Sequence, residues 1–329
     1  MSTLQTLIGQ HFAYASGRTG VLQQLLLTAS DRDRLLGAAD LKEAESILTE
    51  LKLTSPIDQG LKKSDEILQA IGTWVRAEVE TMAPESKRPA FHILWLEEDA
   101  PMLSYLLKKH HGLTSAVSTQ PLSGMTTYSA DALQQLVTEG IAGSLPSHLV
   151  EFIKEAKDIK DVTPQSIDSA VAQYVATLQL KLARASGSAA LKSYVEHKID
   201  LNNIRTALRK GNDLIVGGSI APKDLTGDLR SILTAVDRSS LPYDLSDPIR
   251  KAVDDPNALE HALSKVMADD IAHMWNIPLS IEPVFAFAAL AQSQMKLLRV
   301  LLIGKRANMS PQEIKLMLPP FLSASHYVL

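Results

Sequence analysis

Apolar residues recur along this chain at close to the helical period of about 3.6, and the alternation of a half-buried strand is almost absent. Leu22, Leu25 and Leu26 open one stripe; Ala170, Val171, Tyr174 and Val175 form a second; Leu298, Leu301 and Leu302 form a third. Helix starts are marked as well: Asp40 precedes LKEAESILTELK, Ser129 precedes ADALQQLV, and Ser310-Pro311 precedes QEIKLML. A short polar side chain there satisfies an orphan N–H, and proline is harmless at the first helical position. The chain therefore reads as all-α, with short links such as Gly217-Gly218 and no long flexible linker.

One helix recurs. Slid by 94 residues, LNNIRTALRKG from residues 201–211 lies over MKLLRVLLIGK, so Leu201 meets Met295, Ile204 meets Leu298 and Leu208 meets Leu302. Shifts of 92 and 89 place IDSAVAQYVA over LEHALSKVMA and SIAPKDLTGDL over NMSPQEIKLML. A weaker copy, shifted by 101, puts Asp99 under Asp200, Leu103 under Ile204, Leu107 under Leu208 and Lys108-Lys109 under Arg209-Lys210. The helical period alone makes any two amphipathic helices match. It does not make consecutive helices recur in order at similar shifts. The expectation is three tandem helical units of roughly 95 to 100 residues, which bury one unit against the next and offer their surface to partners. They are placed at 1–120, 121–218 and 219–329, the last with a closing C-terminal helix.

The remaining features exclude more than they assign. With 45% hydrophobic and 21% charged residues the chain is an ordinary globular one, and a net charge of −4 gives no bulk attraction to nucleic acid. The absence of cysteine excludes disulfides, zinc thiolates and thiol nucleophiles, and suits the cytosol. The N-terminus lacks the basic start and apolar core of a secretory signal. Residues 283–304 are the most apolar, but Gln292, Ser293, Gln294, Lys296 and Arg299 interrupt them, so no membrane span is expected.

Histidines and acids are not spaced as ligands. His110 and His111 are adjacent, and His261 and His273 are twelve apart, so neither pair puts two ligands on one helix face. Gly304-Lys305 lacks the glycine and hydroxyl of a phosphate loop, and Ser188 lacks the strand and second glycine of a hydrolase elbow, reading instead as a helix start. The acid runs Glu97-Glu98-Asp99 and Asp269-Asp270 read as solvated surface, and Trp74, Trp95 and Trp275 as core. No catalytic residue, metal site or cofactor is expected.

The candidate site is a polar ridge. Leu201, Ile204 and Leu208 make one stripe of their helix, while Lys198, Asn202, Arg205 and Arg209 follow at spacings of four, three and four on another face. In the later copy Lys296 and Arg299 keep two cations; in the first, Ser104 stands where Arg205 does. These six residues, Lys198, Asn202, Arg205, Arg209, Lys296 and Arg299, are candidates for charge-assisted bonds to a partner or to neighbouring helices.

EHKIDLNNIRTALR and EPVFAFAALAQSQMKLLRVLLIGKRANMSPQEIKLML resemble the repeated signature of the C subunits of prokaryotic V-type (A/V-type) ATPases, equivalent to the d subunit of the eukaryotic enzyme. YASGRTGVLQQLLLTASDRDRLL, from Tyr14, is similar to that family's opening segment. Family members often carry an acid near Gln292 or Gln294, where this chain has amides, and the first copy has Pro101. The resemblance implies a three-domain, funnel-shaped, non-catalytic rotor component on the cytoplasmic face of the membrane. It would receive the central stalk pair, the D and F subunits, and sit on the proteolipid ring, passing torque between ATP hydrolysis and H⁺ or Na⁺ movement. The alternative is a helical-repeat adaptor for some other helical or acidic protein.

Overall fold

The computed structural model describes residues 2–113, 124–160, 162–241, 244–252 and 255–322, and among these there are helices and turns but no strand. The expected unit boundary at 120 lies outside the described residues. In chain order the helices are α1 (Ser2–Leu22), α2 (Ala29–Gly37), α3 (Leu41–Glu50), α4 (Ser64–Met82) and α5 (His92–His110). Then come α6 (Ala130–Glu139), α7 (Ser147–Lys157), α8 (Pro164–Ser186) and α9 (Ala189–Leu208). The chain continues through α10 (Leu229–Asp237), α11 (Ser246–Lys251), α12 (Pro256–Trp275), α13 (Glu282–Arg306) and α14 (Pro311–Met317).

The sequence marks these starts chemically. Asp40, Ser129 and Ser188 each accept a hydrogen bond from the backbone N–H three residues on, capping α3, α6 and α9. Thr163 and Ser310 form reciprocal capping boxes with Ser166 and Glu313, each followed by proline at the first helical position. Gly187, at φ 75°, takes the left-handed turn that ends α8 one residue before Ser188 opens α9. Pro101 does not break α5, which runs through it.

Two compact units share the chain. The first comprises Met1–Leu94, Leu122–Met125 and Ala268–Leu329; the second comprises Trp95–Pro121 and Thr126–Met267. In the first, α13 is the central element, packed against α1, α3, α4 and α14. Phe285 stacks on Phe91 at 6.1 Å and Phe287 meets Trp74 edge-on at 6.3 Å. Arg18 of α1 braces α4 through two bonds to Glu78, of 3.0 and 2.6 Å. By length and composition α13 could cross a membrane, which the interruptions in residues 283–304 argued against. Its most apolar window is 72% buried, however, so here it serves as a core helix.

The second unit has two apolar clusters. One gathers Leu103 and Leu107 of α5 with Leu133, Leu136, Leu149, Ile153, Ile167 and Val171 of α6 to α8. The other gathers Leu201 and Ile204 of α9 with Ile232 and Val236 of α10, Ile249 of α11 and Leu263 and Val266 of α12. Leu103 and Ile204, aligned by the 101-residue shift, thus hold the same place in successive clusters, and Leu298 is fully buried in α13. Of the tryptophans only Trp95 is fully buried; Trp74 and Trp275 are half-buried.

Candidate functional site

Helix α9 carries three of the six ridge residues, with Arg209 at its C-cap, and these four divide into two kinds. Lys198 Nζ lies 2.5 Å from Glu97 Oε1, and Arg205 straddles Glu260, its Nε donating to both carboxylate oxygens at 2.9 Å with Nη2 at 2.8 Å. Arg205 and Glu260 are 31% and 39% exposed, so solvent screens their attraction and their worth is on the order of 0.5 kcal/mol. Asn202 and Arg209, by contrast, are exposed on the same helix face. Lys296 and Arg299 lie on α13, in the other unit, half-buried and each already engaged by neighbours.

The braced pairs follow the repeat. The 92-residue shift puts Asp168 where Glu260 lies, and the 101-residue shift puts Ser104 where Arg205 lies. Ser104 donates its hydroxyl proton to Asp168, which also accepts from Lys108 Nζ at 2.7 Å. Glu97, read as surface, is instead largely buried, its side chain 16% exposed.

Sequence reasoning missed the other face of α9. Asp200 and Asn203 are both fully buried. Asp200 accepts from Ser219 N at 2.9 Å, Ser219 Oγ at 2.6 Å and Ile220 N at 3.0 Å. Asn203 exchanges two bonds with Ile215, donating to its carbonyl at 2.7 Å and accepting from its N–H at 2.8 Å. The chain leaving α9 is thus latched onto the helix it has just left. A Cβ at Gly218 would lie 1.9 Å from Asp200 Oδ1, so the loop's approach requires glycine for space.

The same latch appears twice more, at positions that the shifts superpose. Asp99, 1% exposed, accepts from Thr127 N at 3.0 Å and Tyr128 N at 3.3 Å. Gln294, also 1% exposed, accepts from Leu27 N at 2.7 Å and donates to Leu27 O at 3.1 Å and Leu322 O at 2.9 Å. Asp99 and Gln294 each hold backbone 28 residues further on. The readable signal was a polar residue recurring beside the apolar ladder. Burial raises both carboxyls: Asp200 upward against its hydrogen bonds, and Asp99 to about 7. Burial also raises the neighbouring Tyr128 and Tyr174 hydroxyls.

Lys305 closes α13 in a related way. It is 3% exposed, donates to Leu36 O at 2.7 Å and to Ala38 O, and so satisfies carbonyls at the end of α2. Among the described residues no three metal-ligating side chains converge. Ser188, as expected, is a helix cap.

Lys198 and Arg205 are thus held by the protein's own helices and the buried polar groups by its own loops, the arrangement of a helical scaffold. Residues 15–317 match the family described as ATP synthase (C/AC39) subunit, and the chain belongs to that family. It is 23% identical over 253 residues to the C subunit of the V-type sodium ATPase of Enterococcus hirae, an alignment covering 67% of this chain and 76% of that protein. It is accordingly a C-type subunit, part of a membrane-associated, ion-transporting V-type ATPase complex.

Proposed function

We infer that this chain is the socket of the rotary complex. It is a non-catalytic component that receives the tip of the central stalk, the D and F subunits, and seats on the proteolipid ring at the cytoplasmic face. It transmits torque between ATP turnover and H⁺ or Na⁺ movement. The observation that carries this reading is the family match across nearly the whole chain, 15–317. A funnel of three tandem similar units, at 1–120, 121–218 and 219–329, is part of the proposal. The recurrence of the latch at Asp99, Asp200 and Gln294 supports it, as does that of the ridge pairing at Ser104 and Arg205.

Of the six ridge residues, Asn202 and Arg209 are the exposed ones, whereas Lys198 and Arg205 brace neighbouring helices. Stalk contact is therefore assigned first to Asn202 and Arg209; in the last copy the 94-residue shift puts Lys296 at the place of Asn202 and Arg299 at that of the bracing Arg205. The test is reconstitution with a purified D–F pair and, separately, with proteolipid ring in mild detergent. Folded protein that binds neither refutes the socket. Arg209→Glu is expected to weaken stalk binding by about tenfold with an unchanged melting temperature, as loss of one charge-assisted contact would.

A further inference from the structure

Away from the ridge, the second unit holds a cavity of about 580 Å³ lined by the turn Pro222–Leu225 and by α10. That volume is in the range of small-molecule sites. Among the described residues three cations line it, Lys223, Arg230 and Arg238, against one acid, Asp224, on a chain whose overall charge is −4. Among the described residues none of the three cations is ion-paired, and Arg230 feels the nearby Asp228, whose carboxylate is taken up by Ser231. Arg230 and Arg238 are eight residues apart, about 12 Å along the helix, which suits a ligand with more than one anionic group.

The hydroxyls sharpen the chemistry. Thr226 donates its proton to Lys223 O at 2.7 Å, Ser231 to Asp228 Oδ1 at 2.8 Å and Thr234 to Arg230 O at 2.9 Å. They therefore turn lone pairs, not protons, toward the cavity. The cations want anions, while the hydroxyl oxygens and Asp224 want donors. Among the described residues no aromatic side chain lines the cavity, so these offer a nucleobase no stacking platform. Phosphoryl groups separated by free hydroxyls meet both demands.

We propose that this cavity binds a phosphorylated polyol, either a free sugar or inositol phosphate or the same chemistry carried on a lipid headgroup. Calorimetric titration of the full chain with soluble inositol trisphosphate is expected to show saturable one-site binding. Arg230→Gln with Arg238→Gln should weaken it by about tenfold or more without lowering the melting temperature, because both side chains are exposed. Thr234→Val should weaken the trisphosphate but leave pyrophosphate unchanged. Vesicles of phosphatidylcholine doped with phosphatidylinositol bisphosphate separate the sources. Recruitment much tighter than the soluble affinity assigns a lipid headgroup, and recruitment no tighter assigns the free compound; both uphold the site. No saturable binding of the soluble trisphosphate, equal binding by the double variant, or pyrophosphate binding as tightly as the trisphosphate overturns the proposal.

Discussion

Gln294→Glu changes one atom type at the centre of the first unit, and the latch geometry says what should follow. The amide nitrogen donates to two carbonyls, Leu27 O and Leu322 O, while the amide oxygen accepts from Leu27 N–H. A carboxylate can keep the accepted bond but would turn a charge toward two carbonyl oxygens in a site 1% exposed. It must take up a proton to fold, and the protonated form still supplies only one donor where two were needed. Holding a glutamate neutral at about pH 7.5, against an unfolded pKa near 4.3, costs about 4 kcal/mol; the missing bond adds about 1 kcal/mol. At about pH 5.5 the protonation cost falls to about 1.5 kcal/mol, so the whole penalty drops from about 5 to about 2.5 kcal/mol. The sign follows from linkage: a folded pKa above the unfolded one gives stability that is lost as pH rises. Urea unfolding of both proteins at the two pH values, followed by circular dichroism, reads the difference. Gln294→Met, which forfeits all three bonds without a titratable group, should cost about 3 kcal/mol at either pH. A Gln294→Glu protein within about 1 kcal/mol of the parent near neutral pH, or one whose deficit does not shrink on acidification, would refute the reasoning.

Asp99 makes a converse experiment available in the other unit. Its folded carboxyl sits at about 7 against about 3.9 unfolded, so it contributes stability that is complete below pH ~4 and lost as pH climbs through 7, up to about 4 kcal/mol. Asp99→Asn should flatten the melting-temperature profile between those limits; parallel profiles for the two proteins would deny it. A double-mutant cycle on Arg205→Ala and Glu260→Ala should return a coupling of about 0.5 kcal/mol, because both partners are a third exposed; a value above about 2 kcal/mol would mean that solvent screens the pair far less than its exposure implies. Lys305→Met should cost about 2 kcal/mol in denaturant unfolding by stranding the carbonyls of Leu36 and Ala38; an unchanged midpoint would show that water replaces the ammonium.

Local chemistry was legible in the sequence. Asp40, Ser129, Ser188 and Ser310 could be read as caps because a cap and the N–H it serves are three residues apart. The ladder Leu103, Ile204 and Leu298 was equally readable, since period determines which side of a helix is apolar. What failed was the inference from polar to wet at the run Glu97-Glu98-Asp99, whose last member is 1% exposed, and Asp200 and Asn203 are buried in the same way. Helix α9 is buried on more than one side, and its polar residues find partners 12 to 20 positions downstream. Nothing in a periodic pattern encodes a bond across such a span. Arg205 was ambiguous for a similar reason, because its acid stands 55 residues away on α12. The 92-residue and 101-residue shifts did contain that pairing, but only as two alignments of separate helices. Compositional reasoning also underrated the polar residues of α13, which are turned to use inside the fold: Gln294, one of the interruptions, as a latch, and Lys305, just beyond the apolar stretch, as a cap.

The glycine at 218 gives the latch an evolutionary dimension. Because a methyl group there would collide with the Asp200 carboxylate, neither position can drift alone. A side chain at 218 expels the loop while Asp200 remains, and a shorter residue at 200 strands Ser219 and Ile220 before any side chain at 218 has filled the space. Changes that fill position 218 or remove the acceptor at 200 both lead downhill in stability. Exchange of this loop between related chains is therefore expected to keep its stability only when position 200 travels with it.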